Sequence, residues 1–153
     1  VEIGVSEAKI RFAFGAAEMT SKLIDGTFPD YERVIPTGND KDLDVGRQGF
    51  TDAVDRVSAI SSEKSRAVKL KLCKNILELS ATSPENGSAS EEIEVAYKGP
   101  AIEIGFNARY LLDIAQQMTG DTIRLSMADA ASPTVLSDAA DASGLYVLMP
   151  MRV

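Results

Sequence analysis

From residue 47 to residue 60, Phe50, Ala53, Val54, Val57 and Ile60 recur at helical spacing, with Arg47, Gln48, Asp52, Asp55 and Arg56 opposite them. This pattern predicts an amphipathic helix. A second helix is expected over 107–118, where Leu111, Ile114, Ala115 and Met118 form the apolar stripe and Asn107 is a good N-cap. Elsewhere the pattern is that of strands, at 41–45, 67–72, 76–82, 91–97, 102–106, 122–128, 133–137 and 145–151. Turn chemistry lies between them at Lys74 and Asn75 and across 83–88. Residues 1–14 read as two further strands with a turn at 6–8, and 25–40, punctuated by Gly26, Pro29, Pro36 and Gly38, reads as a linker.

The order strand, helix, strand, strand, strand therefore occurs twice, with helix starts at 47 and 107, which is an internal structural repeat. Neither helix can bury its stripe alone. The strands offer an apolar face, so the expected class is α+β, with both helices on one face of an antiparallel sheet layer.

Composition narrows the function. The 153 residues suit one domain with part of a second, and 44% hydrophobic against 25% charged side chains is the balance of a globular protein. No apolar run approaches the roughly 20 residues of a bilayer span, so no membrane role is expected. With no histidine in the chain, histidine-dependent nucleophile activation, histidine-ligated zinc and histidine general-base chemistry are excluded. Cys73 stands alone, which excludes an internal disulfide and favours a reducing, cytoplasmic setting. The chain opens on Val1 without a signal-peptide pattern, and a piece of a longer protein is expected. A net charge of -7 argues against a simple basic patch for nucleic acid.

Several short motifs carry possible chemistry. Gly46-Arg47-Gln48-Gly49 matches the GxxG loop that clamps a nucleotide backbone, which would make a single-strand binding module, although a strand-to-helix turn explains it too. Asp25 and Asp30, with Glu32, are candidate magnesium ligands for a carboxylate-dependent enzyme, or solvated turn residues. No phosphate-cradling glycine loop accompanies them. Asn86-Gly87-Ser88 fits a glycosylation acceptor but reads better as a hairpin turn, and Cys73 reads as a small hydrophobe within a strand. The end of the chain, 146–153, stays apolar to its last residues, with Met149 and Met151 bracketing Pro150. Such an edge is either a last core strand or a soft surface for a peptide.

The stretch 21–36, SKLIDGTFPDYERVIP, and the ending 146–153, YVLMPMRV, resemble the two best-marked signatures of the bacterial DNA polymerase III β subunit, the sliding clamp. Gly105-Phe106-Asn107 followed by 110–113, YLLD, is similar to the opening of that family's last helix. The blocks fall in the right order and cover essentially the whole chain. The resemblance implies the DNA-clamp fold, with two helices packed on two small antiparallel sheets in each domain, no enzymatic activity and no cofactor or metal. It implies residues 1–34 as the tail of a second domain with its linker and 35–153 as the third domain. In the full-length family member three such domains make a subunit, and two subunits close head to tail as a ring around duplex DNA.

The resemblance also implies sites. Pro29, Arg33, Val34, Asn107, Tyr110, Val147, Leu148, Met149, Pro150, Met151 and Arg152 match the family's peptide pocket, which takes clamp-binding motifs of DNA polymerase III subunits, the clamp loader and repair polymerases. An apolar slot with one arginine and one asparagine suits that task. Ser65, Ala131 and Pro133 depart from the family's pattern around it. Ala59, Ile60, Glu91 and Glu92 match the subunit interface, and a chain without a first domain is expected not to close a ring. For DNA, the two helices balance Arg47, Arg56 and Arg109 against Asp52, Asp55 and Asp113. A lining less acidic than the outside passes DNA without gripping it, with Arg47, Arg56, Arg109, Gln116 and Gln117 as the candidates facing it.

Overall fold

The computed structural model describes residues 1–61 and 66–153, and it divides into two compact units, Val1–Asp30 and Tyr31–Val153. The first unit is an antiparallel meander, β1 (Glu2–Val5), β2 (Lys9–Phe14) and β3 (Ala17–Lys22), in that order across the sheet. Sequence reasoning missed β3. Every residue of AEMTSK is exposed, so no alternation marks it. Gly15, with φ of +58°, makes the turn, and Arg11 holds Glu18 across the pair at 2.9 Å.

The second unit begins with a short 3-10 turn, Tyr31–Val34, and then runs β4 (Lys41–Gly46), α1 (Arg47–Ser58), β5 (Ala67–Cys73), β6 (Ile76–Ser83) and β7 (Gly87–Glu94). The order repeats as β8 (Ile102–Asn107), α2 (Ala108–Gln117), β9 (Thr122–Met127), β10 (Thr134–Asp138) and β11 (Asp141–Leu148). The sheet layer read from the pattern is divided into two four-stranded antiparallel sheets, β11-β10-β9-β4 and β7-β6-β5-β8, the two small sheets that the resemblance implies. The first strand of each half crosses into the sheet of the other. Amphipathic alternation encodes which face a strand buries and not which strand it pairs with, so the exchange was invisible beforehand.

The same exchange satisfies the helix starts. The first N–H groups of a helix lack partners within it. Here the Arg47 N–H donates to the Asp121 carbonyl and the Ala108 N–H to the Arg66 carbonyl, both at 2.8 Å. Each half thus caps the other's helix. Phe50, Ala53, Val54 and Val57 from α1 and Ala108, Leu111 and Ala115 from α2 are buried, and the alternate residues of β5, β6 and β9 complete one core. Ile114, expected in that stripe, is only partly buried.

Two strands, β7 and β11, differ most from the sequence reading. β7 starts at Gly87, not 91, because Gly87 takes φ of +87° and pairs directly with Ser83, which makes Asn86-Gly87 the expected hairpin turn. β11 starts at Asp141 and stops at Leu148, before Pro150, which has no N–H for a ladder.

The corner after α2 is built on a carboxylate. Buried Asp138 accepts from the backbone N–H groups of Thr119 at 3.1 Å, Gly120 at 2.7 Å and Ala140 at 2.9 Å. These bonds hold its carboxyl below the usual carboxylate range, that of Ala140 foremost. Gly120 is required here, since a Cβ would strike the Asp138 carboxylate. Because folding favours the ionised form, Asp138 stabilises fully above its unfolded pKa, and that contribution fades as pH falls through the lower folded value. Asp138→Asn is therefore expected to reduce stability at neutral pH and to flatten the loss below about pH 4. Thermal unfolding of both proteins across pH 2.5 to 7 checks this, and parallel curves would contradict it.

Candidate functional site

α2 presents a second, outward stripe. Tyr110, Asp113 and Ile114 stand three and four residues apart on one face, which places them side by side. They form one wall of a groove of about 600 Å³, and Leu145, Tyr146, Val147, Leu148 and Met149 form the other. Large apolar groups are left in solvent there. Tyr110 is 55% exposed, Leu145 50% and Met149 59%. A concave apolar surface with few polar groups is the usual form of a site for a small or extended ligand. The one carboxylate in it is Asp113.

Of the residues expected in a peptide pocket, the groove unites Tyr110, Val147, Leu148 and Met149. Met151 and Arg152 lie elsewhere, along a second groove of about 450 Å³ with Lys69, Glu103, Ile104, Gly105, Ala130 and Val153. Between the two grooves the chain passes half-buried Pro150. The Met151 N–H then donates to the Gly105 carbonyl at 2.8 Å. A Cβ on Gly105 would approach the Met151 carbonyl oxygen to 2.5 Å, so only glycine lets the end of the chain lie on β8.

Asn107 works at the N-terminus of α2, where its side chain accepts from the Arg109 N–H at 2.9 Å. Arg33 and Val34 are exposed on the Tyr31–Val34 turn and line neither groove, while Pro29 belongs to the first unit. Ala131 is exposed and its N–H bonds to Asp129 at 2.8 Å, and Pro133 is half-buried. Ser65 lies outside the described residues. Asp113, Ile114, Leu145 and Tyr146 were missed as site residues, although the spacing of 110, 113 and 114 carried the signal for the first two.

The two helices pack side by side, and a cleft of about 710 Å³ along them is lined by Asp55, Arg56, Ala59, Arg66, Arg109, Leu112, Asp113 and Gln116, among others. Of the arginines expected to face DNA, Arg56 and Arg47 are engaged by hydrogen bonds and Arg109 makes only a loose ion pair. Arg56 makes two bonds to Glu91, at 3.0 and 2.5 Å, which hold the Glu91 carboxyl below its usual range. Arg109 lies 3.8 Å from Asp113, and Arg47 Nε donates to the Gly120 carbonyl at 2.6 Å. Gln116 and Gln117 are exposed. Arg66, which no sequence pattern singled out, enters the cleft from a backbone with φ of +42°.

Arg56 and Glu91 also join two parts of the expected subunit interface. The pair ties α1 to β7, and beyond the helix end the Ile60 carbonyl accepts from Asn86 Nδ2 at 3.3 Å. Ala59 and Glu92 are exposed at this corner.

Gly46 closes β4, and Arg47 to Gly49 are already helical, so the GxxG segment is a helix start and not a backbone-clamping loop. Asp25 lies 3.7 Å from Lys22 on the surface. Among the described residues no group of three or more His, Cys, Asp or Glu side chains is placed to hold a metal. Nor is any described helix long and apolar enough to cross a membrane.

The family model of the DNA polymerase III beta subunit, C-terminal domain, matches residues 32–152. The chain belongs to this family. A beta sliding clamp of Caulobacter vibrioides is 52% identical over all of the chain, which spans 41% of that relative. The beta sliding clamp of Escherichia coli K12 is 39% identical, again over all of the chain and 42% of the relative. The crystal structure of a sliding clamp from Bartonella birtlesii bound to griselimycin superposes with a TM-score of 0.95 at 52% identity, covering 99% of this chain and 41% of that one. The exchanged strands and paired helices are thus the sliding-clamp fold, and the chain spans about two fifths of the curated relatives it matches.

Proposed function

We propose that this chain is the carboxyl-terminal part of a replicative sliding clamp, a cytoplasmic processivity factor without enzymatic activity. In this reading residues 35–153 are the third clamp domain, and residues 1–34 are the tail of the second domain with its linker. The full-length homodimer encircles duplex DNA and tethers DNA polymerase III subunits, the clamp loader and repair polymerases by their short apolar binding motifs.

The observation that carries the reading is the apolar groove between α2 and β11 in a chain of this family. Exposed aromatic and methionine side chains suit it to varied apolar peptides, since thioethers repack easily. The ion-paired helix face supports the DNA part. With Arg56 and Arg109 facing Glu91 and Asp113, little net charge remains to grip phosphates. Weak attraction by a lining is what sliding needs, because phosphate neutralisation supplies most non-specific affinity. The corner of Ala59, Ile60, Glu91 and Glu92 is the proposed subunit contact, acidic and apolar, suited to a basic partner.

Chemical-shift mapping on the 15N-labelled chain tests the site. Titration with a peptide carrying a clamp-binding motif is expected to shift the amides of Tyr110, Ile114, Val147 and Met149. Shifts confined to the helix cleft around Arg66 and Leu112 would overturn the assignment.

A further inference from the structure

The groove between α2 and β11 is uncharged at seven of its eight lining positions, and the exception is Asp113. Its partner is Arg109, one helical turn earlier, and that pair is loose. Nε and Oδ2 are 3.8 Å apart, beyond hydrogen-bond reach, and both side chains are well exposed at 69% and 59%. An exposed pair of this kind contributes little to folding. Asp113 also lies on the boundary of two surfaces, since it lines the helix cleft as well as the groove. Arg109 lines the cleft alone. The arginine therefore approaches the carboxylate from the cleft side, and the side toward Tyr110 and Ile114 is left to a ligand.

We propose that Asp113 is a specificity-determining residue of the groove, selecting apolar peptides that carry a basic residue beside their apolar anchors. The proposal rests on the groove being the peptide site. A lysine or arginine lying next to the Tyr110 wall would meet the Asp113 carboxylate at the edge of the groove. A glutamate in the same place would meet Asp113 with nothing on the groove side to offset it.

Three labelled peptides with one clamp-binding core, flanked by lysine, glutamine or glutamate, test this by fluorescence anisotropy on the wild-type chain, Asp113→Asn and Arg109→Gln. The wild type is expected to bind the lysine peptide about two- to fivefold more tightly than the glutamine peptide at low salt. That ratio should fall to one in Asp113→Asn and grow in Arg109→Gln, where the competing guanidinium is gone. Circular dichroism establishes that each variant is folded, and both substitutions lie on exposed side chains. A preference that persists in Asp113→Asn overturns the proposal and leaves the groove reading intact. Failure of the wild type to bind any of the three overturns the groove reading and this inference with it.

Discussion

Replacing Phe106 with alanine is expected to lower the unfolding free energy of the Tyr31–Val153 unit by about 3–5 kcal/mol. Phe106 is fully buried in β8, opposite Val68 of β5, and is among the largest side chains of the core. Its removal strips apolar surface from the sheet side and leaves a cavity that two packed sheets and two helices cannot easily fill. A unit of this size has only about 5–15 kcal/mol in total, so roughly a fifth or more of its stability depends on one ring. The neighbours make the loss functional too. Gly105 receives the end of the chain and Asn107 caps α2, and both are positioned by the strand that Phe106 anchors. Urea denaturation followed by circular dichroism checks this, and a loss below about 1 kcal/mol would contradict the packing described.

Deletion of residues 149–153 is the second large effect, and it falls on binding instead of folding. It removes Met149, the most exposed apolar wall of the groove, and the Met151 bridge to Gly105 that holds the chain end in place. The core is nearly untouched, because the deletion begins after Leu148, the last buried residue of β11. Truncating a central anchor of a binding site commonly costs 2 kcal/mol or more, which is about thirtyfold in affinity. Losing the anchor and the segment that orients it is expected to take peptide binding below detection while the melting temperature changes little.

Much of the fold was legible because burial writes periodicity into the chain. The stripes of Phe50, Val54 and Val57 and of Leu111 and Ala115 marked both helices, and the repeated order of elements marked the symmetry. The exchange of β4 and β8 between sheets was not legible, since pairing partners leave no trace in alternation. β3 was hidden for the opposite reason, having no buried face at all. The site divided in the same way. Tyr110 and residues 147–149 were available through resemblance to a family, and they converge. Arg56 meeting Glu91, and Arg47 meeting the Gly120 carbonyl, are long-range contacts that only the folded chain reveals. They add, to a charge balance already read along the helices, the partners that hold two of the arginines in place.

The central claim, that the end of this chain and α2 together form a peptide-binding site, is tested most directly by anisotropy. A labelled peptide carrying a clamp-binding motif would be titrated with the intact chain and with the chain lacking 149–153. The account predicts saturable binding by the first and none by the second, with both proteins folded. Equal binding by the two would contradict it, because the peptide would then be held somewhere other than the groove between α2 and β11.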